Sequence, residues 1–202
     1  MNSGCDVFGL LASPGAFEKK TVPEYNLLAQ QARKILLWVE CPRSSEADYD
    51  VKDKLTAAYL IYLTERVGIP SEKILLHQPA GGNTLVQDPI QVARDLDAGC
   101  LLLIQVYDYE MLPLNMKKYY TGEMVTRAVL MDVDLRIAVW PRDPSGKIIH
   151  VGVDMETKGR DAALGRLVSA TVHCTLRYLY PCEKLKFKTM DERISIQNTF
   201  EM

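Results

Sequence analysis

Residues 124–156 read MVTRAVLMDVDLRIAVWPRDPSGKIIHVGVDME. Met131, Val133, Leu135, Ile137 and Val139 alternate with Asp132, Asp134, Arg136, Ala138 and Trp140. Strict alternation is the pattern of a strand with one face buried. Ile149, Val151, Val153 and Met155 repeat it after Pro141-Arg142-Asp143-Pro144-Ser145-Gly146, an interval dense in turn formers. The stretch therefore predicts a long antiparallel β-hairpin. Both apolar sets must face one core, so paired residue numbers must sum to an even value. A sum of 290 sets Arg136 against Asp154 and Asp132 against Lys158, whereas 288 opposes Asp134 to Asp154 and Asp132 to Glu156. Cross-strand charge pairs are worth roughly 0.2–1 kcal/mol, so 290 is the expected register.

Working back towards the N-terminus, Cys100–Ile104 is a continuous apolar run that continues through Asp108. Ile35–Val39 is another. Runs without alternation suit central strands covered on both faces. Lys73–Leu76 gives a shorter strand between them. Residues 48–67 place Val51, Leu55, Ala58, Tyr59, Tyr62 and Arg66 on one side of a helical repeat, and Gly68 with Pro70 stops it. Asp88-Pro89 is an N-cap followed by proline at the first helical position, opening a helix to Ala98. Thr21-Val22-Pro23-Glu24 has the form of a capping box for a short helix over about 23–33. After the hairpin, Asp161 is the expected cap of a last helix, with Leu164, Leu167, Val168, Thr171, Val172, Thr175 and Leu179 inward and Pro181 at its end.

The order is β-α-β-α-β-β-β-α. It predicts a single-domain α/β fold with a mixed sheet, three linked parallel strands, and the hairpin packed by the C-terminal helix. The expected organisation is a flexible tether over 1–22, the domain over 23–181 and a charged tail over 182–202.

A net charge of −2 and 48% hydrophobic residues give no basic excess, so no nucleic-acid partner is expected. No run approaches the roughly 18 apolar residues of a membrane span. The five cysteines (Cys5, Cys41, Cys100, Cys174, Cys182) include no C-x-x-C, and His77, His150 and His173 have no ligand at metal spacing. Cys100 reads as a small buried hydrophobe. A Cys174–Cys182 disulfide is disfavoured by about 12 Å of helical rise. Neither metal, cofactor nor catalytic residues are expected, since no nucleophile elbow, Walker loop or dinucleotide fingerprint is present. Ala80-Gly81-Gly82-Asn83 lacks a lysine and reads as a turn.

Three groups of residues are candidates for function. Asp132, Asp134, Asp154 and Glu156, with Arg136 and Lys158, form the polar face of the hairpin; alternating charge there suits a solvated surface as well as a cation. Segment 112–122 sets Leu112, Leu114, Met116, Tyr119 and Tyr120 around Lys117 and Lys118. Large apolar residues between lysines suit a contact surface for an acidic partner or lipid headgroups, and this segment is the expected partner-binding element. At the N-terminus, Ser3-Gly4-Cys5 has the small-small-Cys form of a lipoprotein processing site, which makes Cys5 a candidate lipid anchor. No charged region with an apolar core of about 7–15 residues precedes it.

The ILLWVE strand entering helix 48–67, the Asp97-Ala98-Gly99-Cys100 step before LLLIQVYDYE, the hairpin and the last helix after Lys158-Gly159-Arg160-Asp161 resemble a group of bacterial envelope lipoproteins. These are relatives of the N-terminal domain of the Tol-system periplasmic protein, the curli secretion channel subunit and the penicillin-binding-protein activators. The resemblance covers about 35–180. It implies a non-enzymatic protein, anchored through lipid on Cys5 at the periplasmic side of the cell envelope, that works by contact with an envelope protein or with itself. Two rival readings stand beside it. One is an α/β enzyme or ligand-binding protein using Cys41, His77 and Glu110 at strand C-terminal ends. The other is a soluble homo-oligomer using the open hairpin face.

Overall fold

ILLWVE forms β1 (Ile35–Glu40), and every residue of it but the last is buried. It lies between β2 (Ile74–Leu76) and β3 (Cys100–Pro113), parallel to both. These positions come from a computed structural model, which describes residues 22–30, 33–41, 46–77, 87–114, 119–153 and 159–182. The expected 1–22 tether, apart from Val22, and the 182–202 tail, apart from Cys182, lie outside the described residues.

Three helices complete the α/β domain. Helix α1 (Glu46–Tyr62) continues through a π turn at Leu63–Val67, closed by Gly68 at φ +84° with its N–H bonded to Leu63 O. Helix α2 (Pro89–Asp95) is capped as its sequence predicts, the Asp88 carboxylate accepting the Ile90 N–H at 3.0 Å. Helix α3 (Arg160–Leu176) follows Gly159. Asp161 lies in the first turn of α3 and is not its cap. Of the helix expected over 23–33, the described residues show a 3-10 turn, Leu27–Gln30.

Among the described residues the sheet has six strands. β4 (Tyr120–Asp132) pairs antiparallel with β3, and both β5 (Ile137–Trp140) and β6 (Lys147–Val153) pair antiparallel with β4. The fold class and the mixed sheet are as the sequence predicts, but the long hairpin is a different one. It is β3–β4, aligned from Cys100↔Asp132 to Pro113↔Tyr120. Residues 131–139 and 149–153 do not pair with each other; β5 and β6 lie end to end along the same side of β4. The register sum of 290 therefore falls. Arg136 sits in a turn at φ +57°, and Asp154, Glu156 and Lys158 lie outside the described residues.

The cause is electrostatic. Asp132 accepts the Leu135 N–H at 2.9 Å, folding 132–135 into a turn, and Arg33 reaches Asp132 at 2.7 Å and also Asp134. Arg94 bonds the carbonyls of Val133 and Asp134 from α2. Two arginines and one side-chain cap thus hold a turn where apolar alternation suggested a strand. Leu135 is 67% exposed as a result.

The core occupies both sides of the sheet unequally. The larger side packs Leu37, Val39, Leu102 and Ile104 against Leu55 and Tyr59 of α1 and Leu167 and Val172 of α3. The smaller packs Leu36, Trp38 and Leu101 against Ala93 and Ala98 beside α2. Each fully buried leucine contributes about 2 kcal/mol, which is why the doubly covered β1 anchors the sheet.

Candidate functional site

The β3–β4 hairpin outruns its neighbours. β1 pairs with β3 only as far as Gln105, so β3 continues for about 26 Å beyond it at the rise of an extended chain. On the other side, β6 reaches only to Gly122. The last two rungs, Leu112↔Thr121 and Pro113↔Tyr120, have no third strand on either side among the described residues. The Leu114 N–H donates to Tyr119 O at 2.9 Å and extends the ladder by one step.

The expected partner-binding residues map onto this end. Leu112 is 47% exposed, while Leu114, Tyr119 and Tyr120 are half-buried. Met116, Lys117 and Lys118 lie outside the described residues, as does the lipid-anchor candidate Cys5. Below the end, Gly122 allows Met111 to lie across β4, since a Cβ there would collide with the Met111 sulfur. The Thr121 hydroxyl donates to Val153 O at 3.1 Å and ties the base of the projection to β6.

Towards the middle of the sheet, the side away from α1 and α3 carries a mixed polar surface. The row Glu40–Gln105–Arg127–Ile148 crosses four strands. Gln105 donates to Glu40 at 2.8 Å, and Arg127 donates to the Tyr107 hydroxyl at 3.2 Å. The next rungs bring His150 Nε2 to 3.5 Å from the Glu123 carboxylate and oppose Glu123 to Glu110. Tyr107 and Ile148 are exposed here. The sequence held a signal for Ile148: Ile148 and Ile149 are adjacent, so one of the two must face outward.

The residues of the rival enzymatic reading are distributed differently. The His77 ring stacks on Trp38, centroids 3.4 Å apart and planes within 3°. Burial, then Lys52, lowers its pKa. Cys41 follows the last residue of β1 and is level with Val106, whereas Glu110 is four residues farther along β3, about 13 Å on. The Cys41–His77–Glu110 set does not converge at Glu110.

On the hairpin's polar face, Asp132 is held below its usual range by the bond from Arg33, against the effect of burial. Asp132 and Asp134 are thus paired with an arginine. No group of three or more histidine, cysteine or acidic residues among the described residues is arranged to hold a metal. No disulfide joins Cys41, Cys100, Cys174 and Cys182, and burial raises the pKa of Cys100. No described helix is long and apolar enough to cross a membrane.

No protein-family model matches the chain, and no curated protein sequence matches it. Among solved structures, it is similar to the lipoprotein GNA1162 of Neisseria meningitidis, with 17% identity over 70% of this chain and 96% of that one and a TM-score of 0.42. It is also similar to the hypothetical protein CT253 of Chlamydia trachomatis, with 8% identity over 70% and 92% and a TM-score of 0.43. A third is the PelC dodecamer of Paraburkholderia phytofirmans, with 9% identity over 78% and 89% and a TM-score of 0.43. Identities this low assign no role to any residue.

Proposed function

We propose that this chain is a non-enzymatic envelope lipoprotein that docks a protein partner through the end of its β3–β4 hairpin. The docking residues are Leu112, Leu114, Met116, Lys117, Lys118, Tyr119 and Tyr120. The observation that carries the reading is the projection of two hairpin rungs past every neighbouring strand among the described residues, ending in large apolar side chains. Leaving such residues at an exposed end forgoes burial, and a partner's surface recovers it. The two lysines suit an acidic rim on that partner.

The anchor in this reading is lipid on Cys5, supported by Ser3-Gly4-Cys5 and by the resemblance over 35–180. A single acyl chain binds a bilayer only marginally, so stable anchoring requires several. With the anchor at the N-terminus, the hairpin faces envelope partners on the periplasmic side.

A photo-crosslinking amino acid placed at Leu112, Tyr120 or, as a control, Leu96, which follows α2 near the opposite end of β3, tests the docking element in living cells. The reading predicts one discrete adduct from positions 112 and 120 and none from 96. The same adducts from all three positions, or none from any, would overturn it.

A further inference from the structure

Among the described residues, the stretches of the sheet with an outer edge that has no strand against it include β2, β5, β6 and β3 beyond Gln105. Open edges template unwanted pairing, and proteins blunt them by brevity, bulges, charge or proline. β2 and β5 are three and four residues long. The free part of β3 has a bulge between Val106 and Asp108, carries Asp108 and Glu110, and ends in Pro113. β6 has none of these devices. Its seven residues, KIIHVGV, pair with β4 without interruption and contain no proline. Its one formal charge, Lys147, lies at the first position, bonded to Glu24 at 2.6 Å and seated over the Tyr178 ring.

We propose that β6 pairs antiparallel with β6 of a second copy of this chain, about a two-fold axis at His150. The register follows from the strand. Ile149, Val151 and Val153 are buried, so paired numbers must again sum to an even value. A sum of 300 is the one that gives all seven residues a partner. It lays Ile148, 48% exposed in the monomer, against the partner's Gly152, which has no side chain in the way. The two His150 rings meet at the axis, so the row across the junction reads Val125–His150 and then the same pair of the second copy in reverse. Each His150 Nε2 is 3.5 Å from its own Glu123 carboxylate, which is level with Gly152 two residues along β6. No like formal charges stand directly opposite each other. The pairing is isologous and closes at two copies. It uses a strand separate from the hairpin end, so the two surfaces can be occupied together. One seven-residue pairing is a small interface, so exchange between one and two copies in the micromolar range is expected.

Sedimentation of the full chain across a concentration series tests this, together with two variants. The proposal predicts a mass that doubles with concentration. It predicts that Ile148→Lys, at an exposed site, keeps the fold and stays monomeric at concentrations where the parent is dimeric. It also predicts that His150→Cys forms a disulfide-linked dimer under mild oxidation while Ile148→Cys does not, because residues 148 stand four rungs apart across the axis. A parent that is monomeric throughout would overturn the proposal. So would a dimer that survives Ile148→Lys, or one that fails to cross-link through His150→Cys. A dimer that forms only after removal of residues 1–21 would show the edge filled by the chain's own N-terminus, and would overturn it too.

Discussion

The Tyr62 hydroxyl and His173 Nδ1 lie 2.7 Å apart in the seam between α1 and α3. Burial, then the neighbouring Arg177, pushes the His173 pKa down to about 4, so the imidazole is neutral at pH 7 and accepts from Tyr62. In the unfolded chain the same group titrates near 6.5. Between those values the unfolded state binds the extra proton. Stability from this site is therefore complete above about pH 6.5 and lost as pH falls towards 4. The loss is expected to be roughly 2–3 kcal/mol, read from urea midpoints between pH 7 and pH 4. His173→Gln should flatten that part of the profile; an unchanged slope would place the titration elsewhere.

Arg33 treats its two carboxylates unequally. The Asp132 side chain is 14% exposed and also caps the Leu135 N–H, whereas that of Asp134 is 75% exposed. Asp132→Ala should cost about 1–2 kcal/mol, because it removes the more buried of the two acceptors of Arg33 and leaves the Leu135 N–H without its cap. Asp134→Ala should cost less than about 0.5 kcal/mol, as exposed ion pairs do. Equal effects in chemical denaturation would contradict this account of the turn.

Gly68 and Gly146 both have φ of +84°, but their surroundings differ. A Cβ at Gly68 meets nothing, while one at Gly146 meets the Arg127 side chain and Ala128 O. Gly68→Ala should cost about 1 kcal/mol for backbone strain alone. Gly146→Ala should cost more and should disturb the bond from Arg127 to Tyr107. Thermal melts of the two variants give the ranking directly.

Leu112→Ser and Tyr120→Ser should leave stability within about 1 kcal/mol of the parent, because one side chain is exposed and the other half-buried. Under the proposed function they should nonetheless weaken the crosslinked adduct at least tenfold. A stable variant that retains the adduct would remove these residues from the docking surface.

Much of the fold was legible because its signals were local. The apolar run at 35–39, the Asp88-Pro89 cap and the Gly68 stop each rest on a few neighbouring residues. The hairpin was not, because its decisive contact joins Arg33 to Asp132, far apart in sequence. Alternation from Met131 to Val139 imitates a strand, and the Asp132 cap with Arg33 and Arg94 turns it. The hairpin stretch read from 124 leaves out the start of β4 at 120–123 and its pairing with β3, because Gly122, Glu123 and Thr126 interrupt the apolar pattern; Thr126 is a fully buried hydroxyl facing the core. Of the candidate site, Leu112 and Tyr120 stood out by type, but their projection depends on where β1 and β6 stop. That is a property of the sheet and not of the segment.

Whether this chain works as an anchored interaction module turns on the chemical state of Cys5. The measurement is the intact mass and detergent partitioning of the protein made in its native host from the full reading frame. The account predicts a mature chain beginning at Cys5, carrying several acyl chains and entering the detergent phase. An unmodified Cys5 on a protein that stays in the aqueous phase would contradict it.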